Sequence, residues 1–289
     1  MTDITNYNPD QVKMMEERCI LLDTQDRIIG SDTKKACHLL NSSGKTLLHR
    51  AFSVFLFNPD GKLLLQKRSP EKITFPSFWA NTCCSHPLFD MPGEQNGADG
   101  VIIAARRKLQ QELGIPPEQV PISSFTYLTR VHYQSPCDDK WGEHEIDYVL
   151  ICQPDRHVDV SPNANEVAEA KWFNKEEMAA WMKINTNEKL REEMVSPWFR
   201  IIHDSFLYKW WNSLNALETV AERNVIYRGE GAVPSAANVL IEQKGEDEDG
   251  NKTEGICDMC GTLMYKGIIG CECTDGDFVE QYTPGTVNW

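Results

Sequence analysis

The chain has 289 residues, 41% hydrophobic and 25% charged, the proportions of an ordinary globular protein with apolar side chains enough for a sizeable core. No apolar run of about 18 residues or more occurs, so no membrane-spanning helix is expected. The formal net charge is −14, and residues 229–289, with 12 acids against 3 bases, carry −9 of it. So acidic a chain is a poor nucleic-acid binder, and an anionic substrate would need a local basic cluster in the first 228 residues.

Residues 1–11 are polar and lack a basic side chain, which fits neither a secretory signal nor a transit peptide, and residues 286–289 match no peroxisomal or ER-retention tail; the cytosol is the expected compartment. In that compartment the ten cysteines do not suggest a disulfide framework, and Cys19, Cys37, Cys137 and Cys152 read as free, buried thiols. The first clear elements are the apolar runs 51–57 and 62–67, separated by Asn58-Pro59-Asp60-Gly61, which reads as a hairpin turn. Residues 98–113 place Val101, Ala105, Leu109 and Leu113 four apart, one helical stripe, and Gly114 with Pro116-Pro117 ends it. Residues 125–133, 146–152 and 168–173 read as strands, and 175–182 as a short helix. Ser196-Pro197 reads as an N-cap and N1 proline opening a long aromatic helix through Trp198, Ile202, Phe206 and Trp210. This order predicts an α+β fold, an α/β sandwich with a mixed sheet between helices, over residues 1–228. Residues 229–254 turn to Gly, Ser, Asn, Asp and Glu and read as an acidic flexible linker, and 255–289 form a small cysteine-rich C-terminal extension.

Five sets of residues could carry chemistry. The spacing Gly93, Asp99, Arg107, Leu109, Gln111-Glu112, Gly114-Ile115 resembles the Nudix box, a loop-helix-loop that holds a divalent metal against a diphosphate. The usual glutamates are depleted here: the key positions are Asp99, Lys108, Gln111 and Glu112, and hard Mg²⁺ requires carboxylates. His38, His49, His86, Glu143 and Glu145 are metal-type ligands. Residues two apart in a strand share a face, so Glu143 and Glu145 point one way and His144 the other. Two carboxylates so placed repel unless a cation or proton lies between them. Singly, each histidine reads as an ordinary surface or core imidazole. In TCCSHP, 82–87, Cys84 lies two residues before His86, although vicinal cysteines are more often structural than reactive. Lys34, Arg68, Lys72 and Lys108 are cations near these motifs, and Lys108 and Glu112 fall on one helical face. Tyr133, read as ending its strand before a Glu-x-Glu loop, and Trp198 are aromatics that otherwise read as core.

The combination is more specific than its parts. TKKACH (33–38), LLHRAFSVFLFN (47–58), KITFPSFWANTCCSHP (72–87), ELGI (112–115), LTRVHYQSP (128–136), WGEHEIDY (141–148) and SPWFRII (196–202) closely resemble type I isopentenyl diphosphate isomerase, in the right order from about Val12 to Arg228. The resemblance implies a Nudix-like fold and an enzyme that converts isopentenyl diphosphate to dimethylallyl diphosphate for isoprenoid and sterol synthesis. It implies Cys84 and Glu145 as a proton-transfer pair on opposite faces of the alkene, and Tyr133 and Trp198 lining the hydrocarbon pocket. It further implies one divalent metal (Zn²⁺, Mn²⁺ or Mg²⁺) on His38, His49, His86, Glu143 and Glu145, Mg²⁺ on Glu112, and a diphosphate clasped by Lys34, Arg68, Lys72 and Lys108. A monomer without nucleic-acid partner or membrane insertion is the accompanying expectation. Lys108 departs from the arginine frequent in the family, keeping the charge and losing the bidentate fork. A Nudix hydrolase and a catalytically dead scaffold are the alternatives; the depleted box argues against the first, and the intact Cys84, Glu145 and histidines against the second. In the tail, Cys257 and Cys260 look like half a zinc knuckle, while Cys271 and Cys273 are spaced more tightly than usual. Structural Zn²⁺ on four thiolates and unpaired or redox-active thiols both remain open there, with the tail's partner unknown.

Overall fold

In the computed structural model, which describes residue 4 and residues 6–186, 193–229, 239–242, 254–256 and 263–265, a mixed sheet runs through the centre of the chain. Four small N-terminal elements precede the first strand expected from sequence: α1 (Pro9–Met14), β1 (Arg18–Leu22), β2 (Ile28–Thr33) and α2 (Lys34–His38). They are six residues or fewer, and β2 has no buried position, so neither helical nor strand periodicity could reveal them. Thr33 caps α2 by accepting from Ala36 N–H at 3.2 Å.

β3 (His49–Leu56) is buried at all eight positions. Its inner place explains the unbroken apolar run, since both faces are covered. β4 (Leu63–Arg68) follows after a turn closed by Gly61 N–H to Asn58 O at 2.9 Å. The hairpin reading needs correction: only Phe57 and Leu63 pair, and the two strands then part into different sheets. Both strands are buried, and each finds its partners elsewhere. β4 pairs with β5 (Trp79–Ala80) and β9 (Val167–Phe173), while β3 pairs in parallel with β8 (Gly142–Cys152) and antiparallel with β6 (Cys83–Ser85).

The main sheet places β2, β1, β3, β8 and β7 (Phe125–Pro136) side by side, continuing into β10 (Ile226–Gly229) and β11 (Val239–Glu242). β11 lies within the stretch that sequence reads as linker. A separate two-stranded pair joins β12 (Glu254–Ile256) and β13 (Leu263–Tyr265). The cysteines proposed for the tail site, Cys257, Cys260, Cys271 and Cys273, lie outside the described residues.

Strand alternation divides the core. Phe52, Val54, Leu56, Ile146, Tyr148 and Leu150 face α3 (Gly97–Leu113), packing on its Val101, Ala105 and Leu109 stripe. Phe55, Val149, Ile151, Val131 and Tyr133 face α4 (Lys175–Asn185) and the aromatic helical run. That run is α5 (Pro197–Ile202), a π-turn at His203–Leu207, and α6 (Tyr208–Asn212), so the expected long helix is interrupted at mid-length. Ser196 holds the N-cap position, yet its buried hydroxyl makes no capping bond. Gly114 ends α3 at φ 63°, and an added Cβ would stand 2.4 Å from Ser161 O. Gly100 admits the preceding loop: a Cβ there would meet Glu94 O at 2.5 Å. Among the described residues, no helix is long and apolar enough to cross a membrane.

Candidate active site

The register of three adjacent strands builds the first half of the site. His49 of β3 pairs with Glu145 of β8, and Glu145 pairs with Tyr133 of β7, so all three side chains form one row on the face turned to the aromatic helices. Tyr133 therefore lies within its strand, which runs on to Pro136, rather than at its end. The polar stretch after Tyr133 still pairs with β8 as far as Pro136 opposite Gly142. Glu143 and Glu145 share this face, as period two requires, while His144 points away, donates from Nδ1 to Thr46 O and meets His132 Nε2 through its own Nε2.

His38, from the last turn of α2, and His86, just after β6, converge on His49 with ring centroids 4.7–5.0 Å apart. One candidate ligand atom from each of His38, His49, His86 and Glu145 lies within 4.8 Å of all the others. The tautomers follow from the backbone. His38 Nδ1 bonds Lys34 O at 2.7 Å and His49 Nδ1 bonds Leu47 O at 2.8 Å; a carbonyl only accepts, so each Nδ1 carries its proton and Nε2 offers a lone pair inward. His38 Nε2 is buried without a hydrogen-bond partner, and His49 Nε2 faces His86 Nε2 at 3.2 Å. Lone pairs so arranged need a proton or a cation among them. Glu145 Oε1 is 2.8 Å from His86 Nε2 and 3.4 Å from His49 Nε2, and Glu143 Oε2 is 3.5 Å from His38 Nε2. Three imidazoles and the Glu145 carboxylate fit a divalent metal, while Glu143 lies outside that close set, against His38.

The electrostatics agree. Burial disfavours a charged His49, but Glu145 outweighs it and raises the imidazole pKa to about 9, so with no cation bound it is His49 Nε2 that takes the proton those lone pairs call for. Burial would raise Glu145, yet its bond to His49 and the neighbouring imidazoles bring it down to about 2, so it is a carboxylate. His86 is pushed well below its usual value by burial and then by His49, His38 and Lys34. Lys34, which opens α2, thus belongs to the surroundings of the histidines.

Tyr133 donates its phenol proton to Glu145 Oε2 at 2.6 Å. Trp198, 1% exposed, has its ring 6.3 Å from that of Tyr133, and Nε1–H donates to Asn81 Oδ1 at 3.0 Å. Asn81 in turn donates to Val54 O and Cys83 O, which locks the indole to the strand carrying the cysteines. Cys84 lies opposite Ser53 in the β3–β6 ladder and packs beside the aromatic core. Burial, then Asp147, Glu145 and Glu143, raise its pKa well above the normal thiol value, so Cys84 keeps its proton. Asp147 continues the alternation of Glu143 and Glu145; its Oδ2 accepts from Ser53 Oγ at 2.7 Å, and burial raises its pKa well above the normal value. The same period-two count could have found it.

A second, polar cluster is built from α3 and β4. Glu112 and Lys108, four apart, meet at 3.3 Å, and Lys72 Nζ is 3.9 Å from the same Glu112 Oε1. Gln66 Nε2 donates to Glu112 Oε2 at 3.2 Å. Burial alone would raise Glu112, but Lys72 and Lys108 override it and set its pKa at about 2. Its Oε1 has no hydrogen-bond partner. Arg68 is held by the carbonyls of Phe75 and Thr74 at 3.0 and 2.8 Å and lies 5.5 Å from the Trp198 ring centre, joining the two clusters. Sequence reading missed Glu166, which takes the Lys72 ammonium directly; it stands in a loop with no motif around it.

Comparison with known proteins adds the following. A family model described as the NUDIX domain matches residues 47–195. The Bos taurus protein named isopentenyl-diphosphate Delta-isomerase 1 is 48% identical over 219 residues, 75% of this chain and 94% of that one. The Mus musculus protein of the same name is 48% identical over 226 residues, covering 78% and 97%. The Candida albicans isopentenyl-diphosphate delta-isomerase is 45% identical over 237 residues, covering 76% and 81%.

Proposed function

The chain belongs to the isopentenyl-diphosphate delta-isomerases of the Nudix fold, and from that premise we propose how its residues divide the work. It interconverts isopentenyl and dimethylallyl diphosphate, the step that supplies the allylic unit of isoprenoid biosynthesis. The reaction adds a proton to one end of an unactivated alkene and removes another from C2, through a tertiary carbocation.

Cys84 and Glu145 form the proton-transfer pair. The reading is carried by their opposite protonation states on one face of the sheet: a thiol that retains its proton and a carboxylate that can accept one. Tyr133 holds Glu145 Oε2 in place and is close enough to share its proton. Trp198 offers an electron-rich wall to the cation, worth about 2 kcal/mol or more when water is excluded. Its Asn81 bond keeps the indole aligned with the cysteine strand. Arg68, Lys72 and Lys108 hold the diphosphate, with Lys34 joining them from the histidine side. When bound, a divalent metal on His38, His49, His86, Glu143 and Glu145 would fix and tune Glu145, and Mg²⁺ on Glu112 would neutralise part of the diphosphate charge. Hydrolysis by the Nudix route is disfavoured, because Lys108 and Gln111 stand where further carboxylates would be needed.

Proton NMR of the protein with isopentenyl diphosphate and Mg²⁺ in D₂O tests this. Dimethylallyl signals with deuterium incorporation are expected, and chelation of the metal should abolish them. Free phosphate with no allylic product would replace the isomerase by a hydrolase. An unchanged substrate would favour an inactive homologue.

A further inference from the structure

Among the cations of the polar cluster lies a carboxylate that no motif announces. Glu166, at the end of the loop before β9, is 1% exposed. Its backbone is tied on two sides. Ser69 N–H donates to Glu166 O at 3.0 Å, and Lys72 N–H donates to Ser69 O at 3.2 Å. Glu166 N–H donates to Asn163 O at 2.8 Å, and Asn163 N–H donates to Glu112 O at 2.9 Å. The carboxylate is therefore anchored to the turn that bears Lys72 and to the helix end that bears Glu112. Oε2 takes the Lys72 ammonium, which is farther, at 3.9 Å, from Glu112. Oε1 accepts from Gln11 Nε2 at 3.3 Å, and the same amide donates to Asn165 O at 3.0 Å, so α1 braces Glu166 from outside.

Arg68, Lys72 and Lys108 set three positive charges against Glu112 and Glu166, leaving one positive charge in excess. A buried ammonium without an acceptor is costly, and on a flexible four-carbon stem it has no fixed aim. An ammonium has three donors; one held by Glu166 leaves two for a phosphate oxygen. We propose that Glu166 is a positioning residue for the substrate's diphosphate: it aims Lys72, and Gln11 holds it in register. The proposal rests on the reading of Lys72 as a diphosphate arm.

The experiment compares parent, Glu166→Gln, Glu166→Asp, Gln11→Ala and Lys72→Ala. It measures steady-state kinetics with isopentenyl diphosphate and inhibition by inorganic pyrophosphate with Mg²⁺. Glu166→Gln is expected to raise KM and the pyrophosphate inhibition constant together by about tenfold, with kcat within about threefold, the pattern of lost ground-state holding. Gln11→Ala should move both constants the same way by less. Unchanged constants in a Glu166→Gln protein of parent-like thermal midpoint overturn the proposal, as does a fall in kcat at constant KM. If Glu166→Gln does not fold, Glu166→Asp and Gln11→Ala decide by the same two constants. Lys72→Ala tests the premise separately: pyrophosphate that inhibits it as well as the parent removes Lys72 from the diphosphate site. Inhibition lost in Lys72→Ala yet retained in full by Glu166→Gln removes Glu166 alone.

Discussion

A glutamate buried to 1% exposure would ordinarily be protonated, and Glu145 escapes that only because imidazoles and a phenol surround it. Cys84 lies under the opposite influence: burial and three nearby carboxylates keep its thiol protonated. If the two are the proton-transfer pair, Cys84→Ala and Glu145→Gln should each lower kcat by about 10³-fold or more, the scale of lost general acid–base catalysis, while substrate still binds. Near-normal turnover in either variant, read by the NMR assay, would remove that residue from the chemistry. Tyr133→Phe deletes one hydrogen bond to a charged oxygen, which is worth about 1.5–3 kcal/mol. Its expected cost is about 10- to 100-fold in kcat at nearly constant KM. Loss confined to KM would make Tyr133 a wall of the pocket rather than a support of Glu145.

Elements are held to one another by polar chains as well as by core packing. β10 joins β7 in parallel, and Arg228 Nη1 donates to His132 Nδ1 at 2.6 Å. The proton of His132 is then on Nε2, which donates to His144 Nε2 at 2.9 Å, and His144 Nδ1–H donates to Thr46 O at 3.1 Å. Burial first, then His144 and Arg228, lower the His132 pKa to about 4. An unfolded imidazole titrates near 6.5, so between about 6.5 and 4 the unfolded chain binds the extra proton and stability falls as pH falls. Thermal midpoints measured across that window should drop more steeply for the parent than for His132→Gln. Parallel curves would show that the chain from Arg228 to Thr46 does not carry the effect.

At the scale of the molecule, the face proposed for proton transfer and the polar cluster belong to different layers. His49, Glu145 and Tyr133 rise from the main sheet toward the aromatic helices, whereas Lys108 and Glu112 come from α3 on the other side. Arg68 and the consecutive Cys83 and Cys84, whose side chains go to opposite layers, connect them. The described parts of both clusters lie within residues 34–198, so a chain ended after Glu242 should keep isomerase activity within about twofold. If Cys257, Cys260, Cys271 and Cys273 hold zinc, the full chain should carry about one equivalent more than the shortened one. Equal zinc contents would leave those thiols unliganded.

Composition and local pattern were enough to read the mixed sheet between helices, the α3 stripe and its Gly114 stop, and the shared face of Glu143 and Glu145. These are short-range properties: a period of two or of 3.6, or one residue with positive φ, is written in neighbouring positions. Resemblance of long motifs supplied the family and named most of the residues proposed for the site. The tertiary structure alone decided that β3 and β4 part company after their turn, that Tyr133 lies in register with Glu145, and that Glu166 meets Lys72 across 94 positions of chain. Pairing partners and ion pairs at such separations depend on which surfaces bury each other, and no local periodicity carries that information.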